Sequence, residues 1–579
     1  MTQTISIAHN AVNAKLHEPS RELKLKVQSI LSYAIDGAEH SMQFKRGYWD
    51  GRSSFLDFKT GVFPAGFVHF VSAHLRRDGY TVNLVKKPLP PALGPEKPVV
   101  DKFGDDPRYD YQMEVVNRLI KHGQIIAQVA TGGGKSRIAK MAFARIGRPA
   151  MFLTTRGILM YQMHEAFERD LGTKVSVLGD GQFGHTIVDE HGRERQAIKK
   201  MSVAMVQTLV ARLEEKTVEG EIERMANARV KREMKELTAI KKRLVKEGMT
   251  GKSLQQALDA ADKCTEANRP RAKDVTAEAA RRVHEHMAAR TKTIDLLGKF
   301  ELVILEEAHE ASGNSYFEIM RHCKNAYYRL ALTATPFMKD SEESNMRLMA
   351  CSGPIAIKVP EKLLIDRGIL ARPYFKFIKS PNKPPKLFKH TGWQSAYRIG
   401  IVENEFRNRT AVYECRRFAQ YGLTSMVLVQ HTAHGDLLAD MMKAEGLRVM
   451  FIQGEDDQDG RKAALAMLTR GELDVLVGTT ILDVGVDVPA VGHICLLGGG
   501  KAEVALRQRI GRGLRAKKFG PNVCFVTDFH DEYNDHLKVH AKTRQAIIEG
   551  TPGFDENILP AGADFDLVGL GFKPLAIAA

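Results

Sequence analysis

The stretch Ile125-Ile126-Ala127-Gln128-Val129-Ala130-Thr131-Gly132-Gly133-Gly134-Lys135-Ser136 decides how the rest of the chain is read. Its first five residues form an apolar run of strand length, and Arg137 to Ala144 after it reads as a helix. A strand, a glycine-rich turn and a Lys-Ser pair opening a helix make a phosphate-binding loop. Glycines let successive backbone N–H groups converge on an anion with no Cβ in the way. The helix N-terminus adds partial positive charge. Lys135 can reach the outer phosphates of a nucleotide, and the Ser136 hydroxyl can ligate magnesium. The strict pattern has glycine where this chain has Val129, so the competing reading is an ordinary strand–helix turn. The order of the neighbouring segments decides between the two.

Length and composition frame that reading. A chain of 579 residues holds three or four domains at about 150 residues each. The hydrophobic content of 44% suffices for sizeable cores, and the net charge of +16 favours a polyanionic partner, most simply nucleic acid, although solubility charge alone would look the same. The six cysteines are far apart and never form a CxxC, which argues against a zinc ribbon or a disulfide framework. Met1 to Asn10 lacks a signal-peptide core and no apolar run is long enough for a bilayer. A cytoplasmic location with no membrane partner is expected.

Upstream of the loop, residues 1–86 read as a small α+β domain. Arg21 to Tyr33 and Phe67 to Arg77 have helical spacing, and Asp50-Gly51 between strand-like flanks is a hairpin signal. Lys45, Arg46 and Arg52 interleave with Tyr48 and Trp49. That pattern suits a nucleic-acid surface, and equally a domain whose aromatics are core and whose charges are solvated. Residues 87–100 are a proline-rich linker. Gln112, near the start of a helix, has the amide that matches the N6 and N7 edge of adenine.

Residues 101–370 alternate strands and helices, the mark of a parallel α/β sheet. One strand ends in Thr154-Thr155-Arg156 and another in Gln207-Thr208; both ends suit phosphate contacts or ordinary helix caps. Between about 214 and 298 the rhythm breaks into Glu-, Lys-, Arg- and Ala-rich helix, with apolar stripes at Ile222, Met225, Leu237, Ile240 and Leu244, then at Val275, Ala279, Val283 and Met287. This reads as a helical hairpin arm, either a solvated excursion or an arm that holds DNA or a partner. Leu302-Val303-Ile304-Leu305 then ends in Glu306-Glu307-Ala308-His309. Two carboxylates closing an apolar strand are costly unless they meet a cation or do chemistry. Beside a phosphate loop the first holds magnesium and the second orients the attacking water. Another apolar strand ends in Thr333-Ala334-Thr335-Pro336. A second α/β block spans 371–555, followed by a tail at 556–579. It closes on Gln508-Arg509-Ile510-Gly511-Arg512-Gly513-Leu514-Arg515, whose Arg512 and Arg515 share one helix face and would stabilise transition-state charge across a cleft.

Taken together, these segments resemble the motif series of superfamily-2 helicases of the DExH type, in order across residues 108 to 515. The resemblance implies an α/β fold with two RecA-like parallel-sheet domains in tandem, a small α+β domain ahead of them and the arm inserted in the first. It implies ATP and Mg2+ as cofactors. Gln112 matches the adenine-reading glutamine; Thr131, Gly132, Gly133, Gly134, Lys135 and Ser136 match the phosphate loop. Glu306, Glu307 and His309 match the DExH box, with Glu in place of the usual Asp at 306. Thr333 and Thr335, with His309, match the residues that couple hydrolysis to movement. Thr155, Arg156, Gln207 and Thr208, and in the second block Gln430, Thr479 and Thr480, match nucleic-acid contacts. Gly485 and Asp487 match the nucleotide-proximal motif V, and Gln508, Arg512 and Arg515 match motif VI with its arginine fingers.

Tyr48-Trp49-Asp50-Gly51-Arg52, Thr60 to Pro64 and Leu363 to Leu370 are similar to segments of bacteriophage UvsW-type recombination helicases. Proteins of that type remodel forks, Holliday junctions, D-loops and R-loops. The resemblance therefore implies branched DNA as partner, contacts from Lys45, Arg46, Trp49 and Arg52, and a host cytoplasm if the chain is phage-encoded. It also admits a single-strand-binding or recombination protein as partner and a monomer or weak oligomer. The arm has no counterpart expected there. A duplex translocase without strand separation, an RNA helicase and a non-catalytic scaffold are the alternatives.

Overall fold

The computed structural model describes residues 3–575 apart from 102–103, 105, 189–193, 268–271, 313, 338–340, 455, 457, 480–489, 501 and 518. The strand ahead of the loop is β7 (Gln124–Val129) in a nine-stranded sheet. That sheet also holds β8 (Ala150–Thr154), β9 (Val175–Gly179), β10 (Gln182–Val188), β11 (Glu194–Ala197), β12 (Met201–Met205), β13 (Leu302–Glu306), β14 (Tyr328–Thr333) and β15 (Ile355–Val359). Their order is β11-β10-β9-β12-β8-β13-β14-β7-β15. From β9 to β15 every pairing is parallel; β10 runs antiparallel to both its neighbours. The central strands β8, β13 and β14 are buried along their whole length, as covering both faces with crossover helices requires.

Register fixes what meets at the sheet's C-terminal edge. Leu153 lies opposite Leu305, Glu306 opposite Leu332, and Thr333 opposite Gln128. The chain positions that follow β7, β8, β13 and β14 therefore emerge side by side at one edge, where ligands of such sheets bind.

A second, all-parallel sheet has the order β16-β21-β20-β17-β19-β18, from β16 (Arg372–Lys379), β17 (Ser425–Leu428), β18 (Val449–Ile452), β19 (Val475–Gly478), β20 (His493–Leu496) and β21 (Val523–His530). One apolar cluster runs from Val129 and Leu364 of the first block through Leu370 to Phe375 and Leu514 of the second. The helix Glu503–Gly513 lies directly on the glycine-rich loop. A Cβ added to Gly511 would come within 2.7 Å of Thr131 Cβ, so only glycine permits this approach.

The N-terminal part carries a four-stranded sheet of order β5-β2-β1-β6, from β1 (Thr4–His9), β2 (Asn13–Leu16), β5 (Val62–Pro64) and β6 (Thr81–Lys86). Its core merges with the first large block: Phe67, Val71 and Leu56 share a cluster with Met346, Met349 and Tyr316, and Phe55 meets Phe317 at 6.1 Å between ring centroids. The Asp50-Gly51 pair does not join two adjacent strands. Met42–Lys45 before it is a helical turn capped by Ser41, whose Oγ accepts from Phe44 N at 3.2 Å. The strand after it, β4 (Arg52–Ser54), pairs instead with β3 (Ser32–Ala34), earlier in the chain. The proline-rich stretch is docked: Leu93 N and Gly94 N donate to Ile146 O and Arg145 O, each at 3.0 Å.

The inserted arm comprises three helices, Val218–Lys246, Gly251–Ala267 and Ala272–Leu297, where apolar stripes in the sequence pointed to two. The first packs against both of the others. No helix among the described residues is long and apolar enough to cross a membrane.

Candidate functional site

The glycine-rich loop leaves β7 and opens the helix Lys135–Ile146, with Gly132 at φ +84° and Gly134 at φ +79°. Left-handed backbone at two positions in three curls the chain so that its N–H groups converge. Two side chains of the preceding helix Asp110–His122 clamp the curl: Tyr111 OH donates to Gly133 O at 2.8 Å, and Gln112 Nε2 donates to the same oxygen at 3.1 Å. Gln112 Oε1 accepts from Arg137, whose Nε pairs with Asp101 Oδ2 at 2.8 Å. Gln112 is wholly buried, so its amide serves the loop at both ends. Thr131 and Lys135 are half-buried and Ser136 is exposed at the helix start.

Glu306 and Glu307 lie beside this loop. Burial, opposed by the nearby Lys135 and reinforced by Glu307, pushes Glu306 up to about 8. Among the described residues, Glu306 Oε2 and Glu307 Oε2 are buried without a hydrogen-bond partner. Glu307 sits at φ +47°, a left-handed conformation that costs a non-glycine residue about 1–2 kcal/mol. Two carboxylate oxygens without a hydrogen bond beside the Lys135 ammonium are donors of the kind a hard divalent cation takes, and the Ser136 hydroxyl, exposed at the start of the loop helix, is another. Behind them, His309 Nδ1 stands 3.4 Å from Glu307 Oε2 and 3.1 Å from Thr333 Oγ1. Burial lowers the His309 pKa against the pull of Glu307, which keeps the ring neutral near pH 7. Thr333 Oγ1 also accepts from Thr335 N at 3.2 Å. A contact chain thus runs from Glu307 to the end of β14.

Along the same edge, Gln207 Nε2 donates to Thr155 O at 3.0 Å, and Thr208 follows on the same helix. The Thr155 hydroxyl donates to Glu310, and Arg156 Nη2 donates to Glu310 Oε1 at 2.7 Å. Glu310 was not singled out from the sequence; nothing in its local pattern distinguishes it from an ordinary exposed acid. Thr155, Gln207 and Glu310 line a cleft of about 920 Å³ that also takes in Arg290 of the arm, Arg321 and His322.

From the second sheet, Gln430 is exposed just past β17, and Thr479 is buried just past β19. Thr480, Gly485 and Asp487 lie outside the described residues. Gln508 is buried on the helix that meets the loop, and Arg512 belongs to the same helix, its side chain outside the described residues. Arg515 lies beyond the end of this helix, its backbone bridged to Leu370, so the two arginines do not share one helix face as their spacing suggests. On the same helix Arg507 pairs with Glu361 of the first block, Nε to Oε1 at 3.1 Å.

The N-terminal residues lie elsewhere. Lys45 and Arg46 are exposed beside Phe44 and Tyr48, the latter 81% exposed. Arg52 Nε donates to Ser32 Oγ at 2.8 Å and its Nη2 to Glu342 Oε2 at 3.0 Å, while Trp49 Nε1 donates to Arg52 O at 2.7 Å.

Residues 107–338 match the family model of the type III restriction enzyme res subunit, and residues 410–517 match that of the helicase conserved C-terminal domain. The two cover more than half of the chain. A putative helicase 22 of Sulfolobus islandicus filamentous virus is 25% identical over 241 residues, 39% of this chain and 42% of that protein. The ATP-dependent DNA helicase uvsW of Enterobacteria phage T4 is 24% identical over 236 residues, 40% of this chain and 46% of that protein. The chain thus covers less than half the length of either relative. Among solved structures, the DUF1998 helicase MrfA bound to DNA and AMPPNP has a TM-score of 0.50 at 12% identity, covering 80% of this chain and 54% of that one, a likeness of fold.

Proposed function

The chain belongs to the superfamily-2 helicases, and from that premise we propose that it is an ATP-driven DNA motor that remodels branched DNA. The observation that carries the motor reading is the meeting, at one sheet edge, of the phosphate-type loop, a carboxylate pair with orphaned oxygens and the helix Glu503–Gly513 from the other sheet.

In this reading the loop N–H groups from Thr131 to Gly134 and the Lys135 ammonium hold the ATP phosphates. Ser136 and Glu306 would hold Mg2+, which when bound neutralises phosphate charge. Glu306 is then ionised, because a cation replaces the desolvated surroundings that favour its protonated form. Glu307 orients the attacking water and polarises its O–H bond. Its backbone is left-handed, whereas Glu306 is the last residue of β13. Arg512 and Arg515 of the second block would meet charge developing on the transferred phosphoryl group, with Gln508 in support. Gln112, buried with both ends of its amide taken by Gly133 O and Arg137, holds the loop in shape and leaves no amide edge free for adenine in this arrangement; Gly485 and Asp487 complete the nucleotide side of the second sheet.

His309, Thr333 and Thr335 transmit the state of Glu307 to the strand ends. Thr155, Arg156, Gln207 and Thr208 on one side, with Gln430, Thr479 and Thr480 on the other, grip one strand by its phosphates. Such a grip is blind to sequence and weakens with salt. Domains 1–86 and 101–370, joined by the segment 87–100, and domain 371–555 divide the work. The first presents Lys45 and Arg46 with the exposed Tyr48 to duplex or junction DNA, while Trp49 and Arg52 shape that surface.

The test is ATP turnover with single-stranded DNA, blunt duplex, a fork or four-way junction, and single-stranded RNA at one salt concentration, with Lys135→Ala as the blank. Greatest stimulation by the fork or junction is expected. Greatest stimulation by blunt duplex would make it a duplex translocase, and greatest stimulation by RNA would replace the substrate class.

A further inference from the structure

None of the proposed motor residues lies on the arm, whose longest helix has two unlike faces. Ile222, Met225, Leu237, Ile240 and Leu244 are half-buried on the side turned to the other arm helices. On the opposite side Lys231, Lys235, Lys242 and Lys246 are all exposed. At 3.6 residues per turn these four fall within a sector of about 60°, and at 1.5 Å per residue they extend over about 22 Å. Arg232 and Arg243 flank the stripe. None of the four lysines has an ion-pair partner among the described residues, whereas Arg229 on the inner side pairs with Glu233 at 3.6 Å. Uncompensated ammonium groups repel one another along a helix, at a cost of a few tenths of a kcal/mol per adjacent pair. A polyanion laid along the stripe would relieve that repulsion.

Where the arm is rooted bears on which polyanion. Arg290, on the returning arm helix, donates to Leu213 O at 2.9 Å and pairs with Glu215 at 2.7 Å, which fixes the base of the arm. The same base walls the cleft that holds Thr155 and Gln207. The arm therefore springs from the edge assigned above to nucleic acid. Its long helix packs against the two others, which stiffens the helix that carries the stripe. A stiff linear row of charges matches a stiff linear partner, and a double helix stays straight over about 150 base pairs, unlike a single strand. At 3.4 Å per base pair the stripe spans about six of them.

We propose that the outward face of Val218–Lys246, through Lys231, Lys235, Lys242 and Lys246, binds the sugar–phosphate backbone of a double helix entering or leaving the motor. This rests on reading the chain as a nucleic-acid motor.

The experiment replaces all four lysines by glutamine in the full chain and, in parallel, by arginine, with far-UV circular dichroism as the fold check. Binding of blunt duplex DNA, matched duplex RNA and single-stranded DNA is followed by fluorescence anisotropy from about 50 to about 200 mM salt. For the glutamine variant, duplex DNA affinity should fall at least about tenfold, and the slope of log K against log salt should shrink by roughly 3 to 4. Single-strand binding should change less than about twofold, and the arginine variant should keep duplex affinity, because both hold the relevant charges. A loss shared with duplex RNA supports the proposal and widens the partner to any double helix; a loss on DNA alone supports it and narrows it. Unchanged duplex binding, or an equal loss on single strands, overturns it. ATP turnover of the unsubstituted chain separates the two readings. A chain that no nucleic acid stimulates defeats the motor reading alone, and a stimulated motor whose glutamine variant binds duplex as before defeats the arm proposal alone.

Discussion

Glu310 occupies the place that the proposed function gives to a nucleic-acid phosphate. Its carboxylate takes the Thr155 hydroxyl and the Arg156 guanidinium, both proposed strand contacts, and it lies one residue from His309 of the coupling chain. A phosphate arriving at this edge must displace it. Both partners are partly exposed, so the displaced pair is worth no more than about 0.2–1 kcal/mol. Glu310→Gln removes the competing charge and should tighten single-strand binding by about two- to fivefold at low salt. Anisotropy titration checks this, and unchanged affinity would mean that the carboxylate does not compete. Glu306 supports a second test. Its pKa in the folded, nucleotide-free chain is about 8, above an ordinary carboxyl, so folding favours the protonated form. The stability this contributes is fully present below the unfolded value and is lost as pH rises through about 8. Glu306→Gln should therefore leave Tm nearly unchanged at pH 5 and raise it at pH 8.5, as scanning calorimetry across that range would show. A difference that does not grow with pH contradicts the burial argument.

At the scale of elements, the helix Glu503–Gly513 of the second block packs directly on the glycine-rich loop of the first. Gly511 has room only for hydrogen against Thr131, and Gly132 likewise faces Leu370, where a Cβ would stand 2.6 Å from Cδ2. Gly511→Ala improves helix propensity by about 1 kcal/mol yet forces helix and loop apart. Since Gln508, Arg512 and Arg515 ride on or next to this helix, displacement on the ångström scale should lower kcat by up to on the order of 100-fold, with single-strand binding in the absence of nucleotide retained. Steady-state kinetics with an independent binding titration distinguish this from general unfolding, which would abolish both.

Across the whole molecule, the N-terminal sheet is not a detachable module. Phe55 and Phe67 belong to the apolar cluster that contains Met346, Met349 and Phe317, and the Gly66 backbone lies hard against the carbonyls of Met349 and Ala350. Deleting residues 1–86 should strip this face and lower Tm by well over 5 °C, or yield an aggregating protein, since several large side chains lose about 1.5–3 kcal/mol of burial each. The substitutions Lys45→Ala, Arg46→Ala and Tyr48→Ala together touch only exposed positions. They should shift Tm by no more than about 2–3 °C while weakening junction binding. Thermal melts of both proteins check this, and a deletion that melts like the full chain would refute the shared core.

The sequence by itself determined the α/β class and the parallel sheets, and it marked the glycine-rich loop and the carboxylate pair that the first sheet brings near one another. Those rest on short-range chemistry: buried strands must be continuously apolar, a tight anion cradle needs glycine, and carboxylates closing an apolar strand need a reason to be there. The arm was also legible as helix, because its apolar stripes repeat every turn, although its division into three helices was not. Tertiary structure decided what depends on residues far apart in the chain. It placed Gln112 under the loop with both ends of its amide engaged, set Glu310 against Thr155 and Arg156, and fused the N-terminal core to the first large sheet. It also turned the arm's lysines away from the helices that brace it. The physical reason is that periodicity and turn chemistry are properties of a few consecutive residues, whereas a buried amide's partners and the outward side of a helix are set by whatever the rest of the chain packs against them.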